Sequence, residues 1–260
     1  MPLLSYFHGF RHITQNRQLL AQLTCIDLWF FNDRLDVVSM ARVFYKARNL
    51  QDLKLTFCNC KPWRASTPLA VAEIPPPLSV KINTLKITVS GDNPGPKSMV
   101  YNIIQPLHNA LSYLLPSQID ICLDHCPFET LYGTDGEFFP DGDSIRLDIA
   151  GPCSMINILA TLLRRCVIAS SVHFKAPKAF FLNPLCDRDI WPSSPSIRRV
   201  SFRNCDTITE GEVKALANRL LSCRGRVGLQ FLELHHCKDI SEECLLNLHD
   251  EFGDKLVWKL

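Results

Sequence analysis

The chain has 260 residues, 47% of them hydrophobic and 21% charged, a composition that builds a packed core and excludes intrinsic disorder. Lys and Arg total 28 against 26 Asp and Glu, so the net charge of +2 gives no whole-chain argument for nucleic acid or anionic lipid, and any charge argument is local. Its 12 cysteines are irregularly spaced and Met1–Asn16 lacks a signal-peptide pattern, which points to reduced thiols in a cytoplasmic or nuclear compartment and away from a disulfide scaffold.

In chain order, residues 1–22 read as a flank or partial cap, and the first strand frame is Leu23-x-x-Ile26-x-Leu28. A helical stripe of Val37, Ala41, Phe44 and Tyr45 follows it, and the next frame is Leu50-x-x-Leu53-x-Leu55-x-x-Cys58. Lys61–Pro77 is rich in Pro, Ser and Thr and predicts an extended or irregular connection before the frame Ile82-x-x-Leu85-x-Ile87. Weaker copies start at Pro116 (Ile119, Ile121), Gly142 (Ile145, Leu147) and Ala169 (Val172, Phe174). Between the first two of these, Pro127–Asp143 carries Gly133, Gly136, Pro140 and Gly142 and predicts a projecting loop. Met155, Ile158, Leu159 and Leu162 form a second helical stripe, and the apolar run Met155–Val172 contains Arg164 and Arg165, so it reads as a buried helix and strand and not as a membrane span.

The two clearest copies start at Ile197 and Leu229, 32 residues apart, and read apolar-x-x-apolar-x-apolar-x-x-Cys-x-x-Ile-Thr/Ser. The first is followed by the stripe Val213, Leu216, Ala217 and Leu220, opened by Thr209-x-x-Glu212, the spacing of a capping box. A truncated copy at Lys255 ends the chain with Trp258 and Leu260. Starts at 23, 50, 82, 116, 142, 169, 197, 229 and 255 recur every 26 to 34 residues, the length a strand plus a helix needs. The recurrence predicts an α/β leucine-rich-repeat horseshoe over residues 23–260, a right-handed strand-helix solenoid of about eight repeats with a parallel sheet on its concave face.

The residues that carry chemistry elsewhere are weighed against this repeat. Cys58, Cys205 and Cys237 follow its period and occupy the post-strand position, where a small donor bonds neighbouring backbone. Cys122-x-x-His125-Cys126 and His235-His236-Cys237 are rich in zinc-ligand atoms, but no pair of C-x-x-C motifs accompanies them and adjacent strand residues point to opposite faces. Gly91-Asp-Asn-Pro-Gly95-Pro96-Lys97-Ser98 resembles a phosphate-binding loop until Pro96, which removes the N–H that must meet the phosphates before Lys97. The group Asp135, Glu137, Asp141 and Asp143 does not follow calcium-loop spacing, and no hydrolase signature is present, so the reading is a non-enzyme with no cofactor and no metal.

At Cys205-x-x-Ile208-Thr209 and Cys237-x-x-Ile240-Ser241 the sequence resembles the cysteine-containing leucine-rich repeats of F-box/leucine-rich-repeat proteins, in particular the divergent fungal sets. The resemblance implies a scaffold that recognises substrates for an SCF-type ubiquitin ligase, with the ligase adaptor as a partner only where an F-box stands upstream. Met1–Gln22 does not match an F-box, and both ends read as incomplete: the chain closes on a strand and opens close to its first one. The alternative is an immune-type or inhibitor-type repeat protein with no ligase role.

Strand alternation places the partner site. Positions flanking the inward residues face the concave surface and include Trp29, Lys54, Lys86, Arg146, His173, Lys175, Arg199, Arg203 and His235. Arg146, His173, Lys175, Arg199 and Arg203 are expected side by side, a band of cations for an acidic or phosphorylated segment of a protein partner, with no role for nucleic acid or membrane.

Overall fold

The computed structural model describes residues 5–10, 17–62, 80–91, 107, 110–124, 142–166, 168–180, 196–221 and 229–259. The expectations for Lys61–Pro77, the Gly91–Ser98 turn and Pro127–Asp143 therefore fall mostly outside the described residues. The chain divides into an N-terminal unit, Met1–Gly142, and a C-terminal unit, Asp143–Leu260. Each is mixed α/β and carries parallel strands paired in chain order, the arrangement of an α/β solenoid-like fold.

In the N-terminal unit the order is β1 (Tyr6–Phe10), β2 (Cys25–Phe31), β4 (Asp52–Cys58), β6 (Val80–Ser90) and β7 (Leu114–Asp124), with a short outer pair β3 (Arg34–Leu35) and β5 (Lys61–Pro62). Register aligns Ile26, Leu53, Leu85 and Ile119 across β2, β4, β6 and β7, and all four are fully buried. The second inward row, Leu28, Leu55, Ile87 and Ile121, is buried beside it. Burying both rows removes the inward apolar side chains of these strands from water, which no single strand does alone.

The same rule holds in the C-terminal unit, where β8 (Ser144–Ile149), β10 (Ser171–Lys175), β12 (Arg199–Arg203), β13 (Phe231–His235) and β14 (Leu256–Lys259) form the sheet and β9 (Cys153–Ser154) pairs with β11 (Ala179–Phe180) outside it. Ile145, Val172, Val200 and Leu232 align and are fully buried, so the weak sequence copies at Gly142 and Ala169 hold the same register as the strong ones.

Two expectations are corrected at the ends. The last copy is shifted: Leu256, not Trp258, pairs with Leu232, while Trp258 pairs with Leu234. Frame matching from Lys255 missed this because Trp258 and Leu260 satisfy the apolar pattern equally well two residues later. Within residues 1–22, β1 extends the sheet, with Phe7 opposite Ile26 and Gly9 opposite Leu28. Glycine at an inward position hides the strand from a hydrophobic pattern, and the fit needs it: a Cβ on Gly9 would lie 2.8 Å from the Phe7 ring.

Backbone bonds repeat with the strands. Thr24 O accepts from Gln51 and Asp52 N–H at 2.7 and 3.0 Å, Gln51 O from Asn83 and Thr84, and Ser170 O from Arg198 and Arg199. One carbonyl thus ties the start of each following strand to the strand before it. At the far end, Asn32, Asn59, Asn204 and His236 adopt φ near +50° and donate their N–H groups to the next strand's end, to Cys58, Ser90, His235 and Lys259 carbonyls. Asn tolerates the left-handed region better than most residues, which explains three of the four.

The cysteine that follows this turn enters the core. Cys60 Sγ donates to Phe30 O at 3.3 Å and Cys237 Sγ to Phe202 O at 3.8 Å, each reaching the preceding strand, and Cys205 Sγ bonds Arg203 O at 3.6 Å. The position read as Cys58 is therefore held by Cys60. The strand Asp52–Cys58 has seven residues where Arg199–Arg203 and Phe231–His235 have five, so its turn comes later and Cys58 remains part of the strand.

Helices follow the expected stripes: α1 (Arg17–Leu20) is one turn, while α2 (Val37–Phe44), α3 (Met155–Arg165) and α4 (Glu210–Leu221) bury Val37, Ala41 and Phe44, then Met155, Ile158, Leu159 and Leu162, then Val213, Leu216, Ala217 and Leu220. The capping box forms, with Thr209 N–H donating to Glu212 Oε2 at 2.8 Å. The last helix, α5 (Glu242–Phe252), is capped by Ser241, whose N–H also donates to Glu210 Oε1 at 3.0 Å and so stitches two neighbouring helix starts together. Among the described residues no helix is long and apolar enough to cross a membrane.

Two stability predictions follow from the pleat and the turn. Leu232→Ala is expected to cost about 2–5 kcal/mol in chemical denaturation, and Glu233→Ala, on the other face, under about 1 kcal/mol; equal losses would refute the strand phase. Asn204→Ala is expected to cost about 1 kcal/mol because alanine lacks the short polar side chain that lets Asn tolerate the left-handed turn, whereas His236→Gly is tolerated.

Candidate partner-binding face

Once the inward rows are buried, the side chains between them face the other way, and register sorts them into rows. In the N-terminal unit one row runs Asp27, Lys54, Lys86 and Asp120, and the next begins with Trp29 and Thr56. Lys54 and Lys86 are exposed and adjacent, and Trp29 is 38% exposed. Trp29 is tied down: its Nε1–H donates to Asp27 Oδ1 at 3.0 Å, and Tyr6 Oη lies 3.4 Å from the other carboxylate oxygen. His8 Nδ1 stands 3.7 Å from Asp27, its ring edge-on to Trp29. Tyr6 and His8 arrive on β1, so this aromatic and acidic cluster was invisible while that strand went unread.

The C-terminal unit carries the cations. Three rows cross its strands: Ser144, Ser171, Arg199 and Phe231; Arg146, His173, Ser201, Glu233 and Val257; and Asp148, Lys175, Arg203, His235 and Lys259. All five residues expected in the cationic band therefore share one face of one unit, with His235 beside Arg203. Trp29, Lys54 and Lys86 belong to the other unit.

The band is less uniform than its sequence. Lys175 Nζ is 2.8 Å from Asp148 Oδ2, and Arg199 Nε is 3.3 Å from Glu233 Oε1 with its guanidinium 5.1 Å from the Phe231 ring centre. His235 Nε2 lies 3.4 Å from the other Glu233 oxygen. Arg146, Arg203 and Lys259 form no ion pair among the described residues, so the sheet leaves their charges unbalanced. Each exposed pair contributes little to stability and exchanges readily for another anion.

His173 sits half-buried among these arginines. Burial first, then Arg146, Arg199 and Arg203, lower its pKa, while Glu233 opposes them. The imidazole is therefore neutral at physiological pH. Beside it, Ser201 is only 2% exposed although it occupies an outward position between Arg199 and Arg203. Neighbouring side chains cover it, and alternation alone does not reveal it because the residue is small and uncharged.

His235 lies on this face, His236 is exposed in the turn, and the Cys237 thiol points into the interior, so the three neighbours in sequence diverge. Hydrogen bonding to Cys237 and then burial hold the Cys205 thiol above its ordinary range, and burial does the same for Cys60. These are packed thiols of the kind that react slowly.

No family model matches the chain, and no curated protein matches it.

The lowered pKa of His173 fixes the sign of a pH effect. Below the ordinary imidazole range the unfolded chain binds a proton that the native state resists, so stability contributed by neutral His173 is present above about pH 6.5 and falls as pH drops through that value. The thermal midpoint is expected to fall between pH 7.5 and 5.5 by more in the wild type than in His173→Gln; identical slopes would show that His173 is not the responsive group.

Proposed function

We propose that the chain is a leucine-rich-repeat horseshoe that holds a protein partner on its sheet face, as the substrate-recognition part of an SCF-type ubiquitin-ligase adaptor in the cytoplasm or nucleus. The observation that carries the partner site is the register of the C-terminal sheet. It gathers Arg146, His173, Lys175, Arg199 and Arg203 from three strands onto one face, although they spread from position 146 to 203 in the chain. Five Lys and Arg residues on that face, Arg146, Lys175, Arg199, Arg203 and Lys259, oppose two carboxylates, Asp148 and Glu233. A net positive, strand-mounted surface on a nearly neutral chain fits an acidic or phosphorylated protein segment.

Rigid mounting favours binding, because side chains on paired strands lose little backbone freedom when a partner docks. The repeat form, with left-handed turns at Asn204 and His236 followed by the buried Cys205 and Cys237, supports the leucine-rich-repeat reading and with it the adaptor role. The ligase connection rests on the resemblance of these repeats and on an F-box standing upstream.

The test is capture of a partner by the tagged chain and by the double charge reversal Arg199→Glu with Arg203→Glu, with identification of what is held. Both positions are exposed, so the variant is expected to fold with a thermal midpoint close to wild type while losing most of the captured partner. Wild-type capture should weaken as salt rises, since charges beyond about 8 Å are screened at physiological ionic strength. A variant that holds the same partner normally at low salt would remove this face from consideration.

A further inference from the structure

We propose that Arg146, His173 and Arg203, on the outward face of the C-terminal sheet, seat a phosphomonoester carried on a side chain of the protein partner. The inference rests on the reading that the partner lies on this face, and it names the group that the face recognises.

The argument starts from what the existing charges leave undone. Lys175 is engaged by Asp148 at 2.8 Å and Arg199 by Glu233 at 3.3 Å, so two of the cations already have carboxylates. Arg146 and Arg203 have none among the described residues, and His173 lies between them in the register: Arg146 is its direct cross-strand neighbour, and Arg203 is two residues along from its other neighbour, Ser201. Two guanidinium groups present planar forks of donors that match oxyanions. A carboxylate has two oxygens and one charge, and one guanidinium satisfies it. A phosphomonoester has three terminal oxygens and a charge of about −1.5 to −2 at neutral pH, which calls for two forks and a further donor.

Ser201, between His173 and Glu233 in the register, adds no charge that competes with the arginines. It is the smallest residue of its row, 2% exposed, and its side chain makes no hydrogen bond to another described residue. Glu233, across Ser201 from His173, sets the orientation: it is held by Arg199 and His235 and repels an anion from that side, so the phosphate lies toward Arg146 and Arg203.

His173 adds a dependence on protons. The charged groups around it are Arg146 from β8, Arg199 and Arg203 from β12 and Glu233 from β13, and with burial they keep it neutral when the site is empty. A dianion bound beside it reverses that field and favours imidazolium. Binding therefore takes up a proton and tightens as pH falls from about 8 toward 6.5, then weakens as the phosphate itself protonates near its second pKa of about 6.

The experiment uses the full chain with imidazole NMR, titrated with inorganic phosphate, O-phospho-L-serine and acetate at constant ionic strength. Both phosphate probes are expected to saturate and raise the His173 pKa, while acetate does neither. Arg146→Gln with Arg203→Gln should weaken phosphate binding by tenfold or more, and Arg48→Gln in the N-terminal unit should not change it. A response to acetate equal to that for phosphate, or an undiminished response in the double variant, would overturn the proposal. Tighter binding of a random single-stranded RNA than of O-phospho-L-serine would overturn the assignment to a phosphorylated protein. A face that still captures its partner through Arg199 and Arg203 yet ignores both phosphate probes would sink the phosphate and leave the face standing; failure of the face shows instead as capture indifferent to charge reversal.

Discussion

Parallel pairing in matched register is the constraint from which the other features descend. Because side chains alternate faces with period two, the pairing that stacks Ile145, Val172, Val200 and Leu232 in the interior also lines up Arg146, His173, Ser201 and Glu233 outside it. A slip of one residue would put Arg146 and Arg203 in the core and expose every inward aliphatic, so the cationic face is held in place by the cost of the alternative. Like stacks on like within the rows: Phe30 lies over Phe57 with ring centres 5.4 Å apart, and Phe174 over Phe202 at 5.3 Å, both nearly parallel.

Strand length then governs where the turn chemistry falls. Sheet pairing ends at a residue with φ near +50°, and the thiol after it bonds carbonyls, in two of three cases reaching the preceding strand. A longer strand moves that junction along the chain without altering it, so Cys60 does in the N-terminal unit what Cys205 and Cys237 do in the other. The position is defined by distance from the end of pairing and not by distance from the first apolar residue of the frame.

On the open face, proximity and charge act against each other. Assembling cations from four strands concentrates positive potential, and the same assembly brings Asp148 and Glu233 within reach of Lys175 and Arg199. Among the described residues this leaves Arg146, Arg203 and Lys259 without a carboxylate partner, beside the half-buried imidazole of His173.

The amino-acid sequence by itself determined the period, the inward rows and the helix stripes, since those depend on local alternation and on a 3.6-residue repeat that read out directly as apolar spacing. It also placed Arg146, His173, Lys175, Arg199 and Arg203 on one face, because facing is a parity. Three things lay beyond it. The strand at Tyr6–Phe10 escaped because Gly9 fills an inward position by close approach to Phe7, which has no apolar signature. The phase of the last strand escaped because Trp258 and Leu256 both satisfy an apolar frame, and only pairing against Leu232 separates them. Which cations keep their charge unbalanced, and that Ser201 is buried at an outward position, depend on distances between strands, and those exist only once the strands have paired.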